Sequence, residues 1–73
     1  MVQYIGKPIR EEKHETVRSL AEKAKVAPST ISKWETGHAV PDLAVLDVVA
    51  HALDVNPWQL VSFNKSWQEI PLL

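Results

Sequence analysis

The sequence has no cysteine, so neither a disulfide nor a thiolate metal site can support its core. It has no apolar run long enough to cross a bilayer, and residues 1–12 lack the apolar stretch of a secretory leader. A cytoplasmic protein is therefore expected. Neither sign of charge is in excess: eight Lys and Arg stand against nine Asp and Glu, for a net charge of −1. That balance offers no bulk attraction to nucleic acid. Glycine occurs twice; Gly6 breaks the N-terminal apolar stretch and Gly37 follows a helical pattern. The three histidines, His14, His38 and His51, have no partner four residues away, so no metal site is expected. Ser, His and Asp occur, but nothing in the pattern brings them together, so neither an enzyme nor a cofactor is expected. Seventy-three residues make one domain. A chain this short buries only about 60% of the surface it exposes when unfolded. Its stability should be on the order of 4–10 kcal/mol.

What is present centres on Thr16–Gly37. Val17–Ala24 places Leu20, Ala21 and Ala24 on one helical face. Pro28–Thr36 does the same for Ile31, Trp34 and Glu35. Lys25-Val26-Ala27 separates the two. Thr16 suits the N-cap of the first helix, because its hydroxyl can accept from a free backbone N–H one turn in. Pro28 suits the first position of the second, where a missing N–H costs nothing. Gly37 can adopt the left-handed conformation that ends it. Ala21 is small enough for a second helix to cross closely. Two short helices joined in this way read as a helix-turn-helix.

The remaining segments complete an all-α bundle of five helices. A short first helix opens near Pro8 and runs to Lys13 or His14, with Ile9 inward; Ile5 and Ile9 must dock on later helices. Met1–Lys7 is either an extended arm or packs under that helix. Asp42 caps a fourth helix whose Leu46, Val49, Ala50 and Leu53 form a full apolar stripe, widened by Val45, Val48 and Ala52. It should be the most buried helix. Asp54 ends it, tolerating left-handed geometry better than most residues. A fifth helix starts at Asn56-Pro57-Trp58-Gln59, with Asn56 as cap and Gln59 reaching back in a capping box. Val55 and Leu60 form a hydrophobic staple, and the helix runs to about Phe63. Residues 1–63 form the domain proper. Residues 64–73 form an apolar tail with Trp67, Ile70, Leu72 and Leu73, which Pro71 keeps from being one helix.

Charge is unevenly spread. Residues 1–34 carry seven Lys and Arg against four Glu, and residues 35–73 carry one Lys against five Asp and Glu. One positive face on a nearly neutral protein is compatible with this division, as is an ordinary solvated surface.

The run S-L-A-E-K-A-K-V-A-P-S-T-I-S-K-W-E-T-G resembles the DNA-binding unit of lambda-repressor-like regulators. That is the Cro/C1-type (XRE) group, which includes phage repressors and Cro proteins. Leu20-Ala21, Val26, Ser29–Ser32, Trp34-Glu35 and Gly37 stand where that pattern puts them, and the match continues through Pro41, Leu43, Leu46, Ala50, Leu53, Val55 and Leu60. It covers roughly residues 9–61. The resemblance implies a lambda-repressor-like fold and a sequence-specific regulator of transcription that binds double-stranded DNA, with repression as the expected mode. It places helix 28–36 in the major groove.

The side of that helix not taken by Ile31 and Trp34 carries Pro28, Ser29, Ser32 and Lys33, with Thr36 at the far end. Lys33 can donate to guanine O6 or N7, while the serines discriminate weakly alone. Thr30 is expected on a phosphate. Arg18 and Lys25 complete the expected DNA-contacting set. The resemblance also implies an ion pair between Arg10 and Glu35. The chain departs from the pattern at Val17, where family members carry Gln, at Pro28, which offers no donor, and at Lys25, where the turn usually has Gly. His38-Ala39-Val40 replaces most of a commonly basic loop.

Trp58, Phe63 and Trp67 exceed what so small a core encloses, although one or two of them should be core. Because family members often dimerise through the fifth helix and the residues after it, a homodimer through these aromatics is expected. Another protein partner and plain core packing are the alternatives. The second functional reading is a protein-interaction module, such as an antirepressor or toxin-binding partner, that keeps the fold with little DNA binding.

Overall fold

The structure, a computed structural model, describes residues 2–63. Its elements are β1 (Val2–Tyr4), α1 (Lys7–Glu12), α2 (Val17–Ala24), α3 (Pro28–Glu35), α4 (Leu43–Leu53), a 3-10 turn at Pro57–Leu60, and β2 (Val61–Phe63). Trp67, Ile70, Leu72 and Leu73, and with them the expected tail, lie outside the described residues.

α2, α3 and α4 form the body. The anticipated caps are in place: Thr16 accepts from the Ser19 N–H, Asp42 from that of Val45, and Asn56 from that of Trp58. Asn56 and Gln59 close the capping box. Asp54 ends α4 in the left-handed region at φ 57°. Leu20, Ile31, Val49, Leu53 and Leu60 are fully enclosed, with Ala21, Ala24, Leu46 and Ala50 around them. α4 contributes Leu46, Val49, Ala50 and Leu53, as its stripe requires; Val48, expected to widen the stripe, is exposed instead.

Two expectations are corrected. The fold is not purely helical, and there is no fifth α-helix among the described residues. The segment after Asn56 makes one 3-10 turn and then enters β2, which pairs antiparallel with β1 in the register Val2↔Phe63, Gln3↔Ser62 and Tyr4↔Val61. Val61-Ser62-Phe63 alternates a β-branched and an aromatic residue around a polar one, which suits a strand. A two-stranded ribbon is marginal in water. Here Tyr4 and Val61 on one face are buried against the helices, and that burial holds the pair in place.

The pairing also decides which N-terminal residue is core. Strand alternation turns Tyr4 inward and leaves Ile5, expected to dock, 42% exposed. Ile9 packs against the core as expected. The Tyr4 ring runs so close to Gly6 that a Cβ there would overlap the phenol. Neither Trp58 nor Phe63 is core: they are 63% and 57% exposed. The strand and the single 3-10 turn leave both side chains outside the core, of which Tyr4 is a part.

Candidate nucleic-acid interface

α2 begins with a reciprocal cap. The Thr16 hydroxyl accepts from the Ser19 N–H at 3.0 Å, and Ser19 Oγ accepts from the Thr16 N–H at 2.9 Å. The usual signature has Glu or Gln at that third position, so the second half of the box had no sequence signal. Ser19 also donates to Glu15, which bonds Lys23 as well. The bond from Lys23, and then that from Ser19, holds the Glu15 carboxyl below the usual carboxylate range. Lys23 is thereby committed to a neighbour.

α2 ends at Lys25, whose backbone is left-handed at φ 58°, ψ 42°. The Val26 N–H reaches back to the Ala21 carbonyl at 3.0 Å. A lysine in this region costs about 1–2 kcal/mol that glycine would avoid. The turn keeps the helix-turn-helix geometry at that cost, and Lys25 projects into solvent.

α3 follows with Pro28 in its first turn and no side-chain cap. Ile31 is fully buried and Trp34 is 4% exposed, its ring 5.5 Å from that of Tyr4 at a 52° tilt. Ser29, Ser32, Lys33 and Thr36 stand at i, i+3, i+4 and i+7, so the structure brings them onto one exposed face. Pro28 adjoins them at the start. Thr30 is on the flank and half-buried. Arg18 is exposed near the start of α2, with Val17 half-buried beside it. Arg18, Lys25 and Lys33 form no salt bridge among the described residues.

The last turn of α3 is closed by Gly37 at φ 83° and by a bond from the His38 N–H to the Lys33 carbonyl at 2.9 Å. The Thr36 hydroxyl donates to the Ser32 carbonyl at 2.8 Å and lies 2.8 Å from His38 Nδ1. Behind this face, Arg10 forms a two-pronged bond to Glu35, Nε to Oε2 at 2.8 Å and Nη2 to Oε1 at 3.2 Å. The expected pair therefore exists, and it ties α1 to the end of α3.

A helix-turn-helix family model matches residues 9–57, two thirds of the chain. The chain belongs to the XRE-type helix-turn-helix family. That span runs from within α1 through α4 to the start of the 3-10 turn; both strands fall outside it. Among solved structures, the chain is similar to a candidate DNA-binding protein from Bacteroides fragilis, at 37% identity and a TM-score of 0.80, over 85% of this chain and 100% of that one. It is also similar to the clp gene regulator ClgR from C. glutamicum, at 35% identity and a TM-score of 0.65, over 67% of this chain and 63% of that one. No curated protein sequence matches it. No helix of the described residues is long and apolar enough to cross a membrane.

Proposed function

We propose that the protein is a transcriptional regulator, not an enzyme, that binds double-stranded DNA in the cytoplasm and acts as a repressor. The observation that carries this reading is the division of α3. Ile31 and Trp34 anchor the helix in the core, which leaves Ser29, Ser32 and Lys33 on a free polar face. A helix held this way can enter the major groove while α2 braces against the backbone. Lys33 reads a base edge, Ser29 and Ser32 assist, and Pro28 and Thr36 bound the reading surface. Thr30, Arg18 and Lys25 meet phosphates, which position the protein without carrying sequence information. Family membership and the two named structures support DNA as the ligand.

Residues 1–63 act as the DNA-binding unit and residues 64–73 as a dimerisation segment. Support for self-association comes from the exposed apolar side chains around one groove: Leu43 at 74%, Trp58, Phe63 and Val40, with Leu46 and Val61 buried beneath them. A two-fold dimer would suit two half-sites about 34 Å apart. The same groove, together with the donorless Val17 and Pro28, favours the second reading, an interaction module with little DNA binding.

Selecting bound sequences from random duplexes with the purified protein tests the proposal. The selected and a scrambled duplex are then titrated at two salt concentrations. A regulator separates the two DNAs and shows a salt slope of several ions. A protein that separates them at no salt concentration, with almost no slope, is the interaction module.

A further inference from the structure

The two-stranded ribbon leaves one edge open. The Ile5 N–H donates to the Leu60 carbonyl at 2.8 Å. With Gln3 opposite Ser62, the alternation of an antiparallel ladder makes those two a hydrogen-bonded pair as well. Val2 and Tyr4 fall between these pairs, so their backbone N–H and C=O groups point away from β2. None of these four groups has a backbone partner among the described residues. A free strand edge of this kind is a template for another extended chain.

The edge opens onto a cleft of about 440 Å³ between β1 and the segment that follows α3, within the size range of ligand sites. Val2, Gln3 and Tyr4 line one side, and Trp34, Ala39 and Val40 stand on the other. A strand added antiparallel to β1 exchanges two backbone bonds with Tyr4 and two with Val2. Its side chains opposite Tyr4 and Val2 share their face and turn toward the body. The residue opposite Gln3 turns outward and directs its own N–H away from β1. The cleft therefore suits an extended segment with two apolar residues on either side of one that needs no N–H.

Residues 64–73 contain such a run, Ile70-Pro71-Leu72. Proline is tolerated in an edge strand where its N–H side faces solvent. It also biases the residue before it, Ile70, toward an extended backbone. Pro71 opposite Gln3 puts Ile70 opposite Tyr4 and Leu72 opposite Val2. The apolar groove at Leu43, Trp58 and Phe63 shares Val2 and Val40 with this cleft, so a chain seated on the groove has the cleft beside it.

We propose that Ile70-Pro71-Leu72 of a second copy adds a third strand to the free edge of β1, each copy receiving the other's tail. This rests on the reading of residues 64–73 as a dimerisation segment, and it names where on the partner that segment binds. The exchange also supplies the third strand that a two-stranded ribbon needs for stability of its own.

The chain has no cysteine, so an introduced pair reports the contact without background. Gln3 and Pro71 would form a non-hydrogen-bonded pair with Cα atoms about 4.5 Å apart, a separation that a disulfide bridges. Full-length Gln3→Cys and Pro71→Cys chains, one tagged to differ in size, are mixed, oxidised in a glutathione buffer and run on a non-reducing gel. The expected product is a covalent heterodimer in excess over either homodimer. The doubly substituted chain reports docking within one molecule. Sedimentation equilibrium follows variants without cysteine. Leu72→Pro removes an N–H directed at β1 and should weaken the dimer about tenfold or more. Pro71→Ala and Leu73→Pro alter positions whose N–H faces solvent and should dimerise as wild type.

A wild-type dimer that gives no heterodimer on the gel, or that Leu72→Pro leaves unchanged, overturns the strand exchange and leaves the dimer standing. Cross-linking confined to single molecules of the doubly substituted chain also overturns the exchange, with the cleft taking its own tail. A wild type that is monomeric at every concentration overturns both this inference and the dimer.

Discussion

Arg10 and Glu35 face each other across the join between α1 and α3, with side chains only 10% and 7% exposed and two parallel bonds between them. Arg10 also donates from Nη1 to the Glu15 carbonyl at 2.7 Å, so one guanidinium fixes the α1–α2 connection as well as the end of α3. Its pKa is raised, first by the bond to Glu35, against the opposing effect of burial. A pair this enclosed gains little over an apolar substitute, but an abandoned partner is costly. Glu35→Ala should destabilise the domain by about 3 kcal/mol, within the range for breaking a buried pair. Arg10→Met combined with Glu35→Leu should recover most of the loss. Urea melts of the single and double variants check this; additive losses would mean that the two residues do not act as a pair.

Tyr4 packs against Trp34 and near this pair, and its hydroxyl is buried without a hydrogen-bond partner. Burial first, and then the Glu35 carboxylate, pushes its pKa up to about 12. The folded protein thus keeps a proton that the unfolded chain loses near pH 10. Stability from this group is complete below about pH 10 and is lost as the pH rises toward 12, by about 2–3 kcal/mol in all. Tyr4→Phe should not show this loss and should be no less stable at pH 7, because an unpartnered hydroxyl stabilises nothing. Urea midpoints at pH 7, 9 and 11 separate the cases. Lysines titrate alike in both proteins, so an equal alkaline loss in the two would exclude Tyr4 as its source.

The parts of this fold that were legible in the sequence are locally encoded. Thr16, Asp42 and Asn56 mark helix starts through bonds to residues two or three positions away. Ile31 and Trp34 mark the inner face of α3 through spacing alone. The strand pair was not legible, because it joins Val2 to Phe63 across nearly the whole described chain. A three-residue strand is also too short to display a period. Tyr4 and Ile5 are both apolar enough for the core, and only the phase of that strand chooses Tyr4. At the interface, the exposed face of α3 follows from its buried one. The bond between Thr36 and His38 does not, because sequence carries no information on where a hydroxyl points.

Trp58 and Phe63 border an apolar groove, and residues 64–73 add Trp67, Ile70 and Leu72 in sequence. Exposed apolar area of this kind is usually covered by a partner. The full chain should sediment as a dimer, and a chain ending at Asn64 as a monomer. Sedimentation equilibrium over a concentration series measures both. Two monomers at the highest concentration would remove the dimer from the proposed function.

Lys33 is the long cationic side chain on the exposed face of α3, and Pro28 contributes no donor at the helix start. Ser29 and Ser32 can each pair with several base edges, so they rank bases weakly. Direct readout should rest on Lys33, with guanine as its natural partner through O6 and N7. Lys33→Ala should cost about 1–3 kcal/mol at the selected site, the worth of one good base contact, and should relax preference at one base pair per half-site. Arg18→Ala and Lys25→Ala should instead weaken selected and scrambled duplexes alike, because a lost phosphate contact is blind to sequence. Titrating each variant against both duplexes at two salt concentrations distinguishes the roles. An equal loss on both DNAs for Lys33→Ala would make Lys33 a backbone contact. Readout would then have to come from Ser29 and Ser32, or from the shape of the DNA.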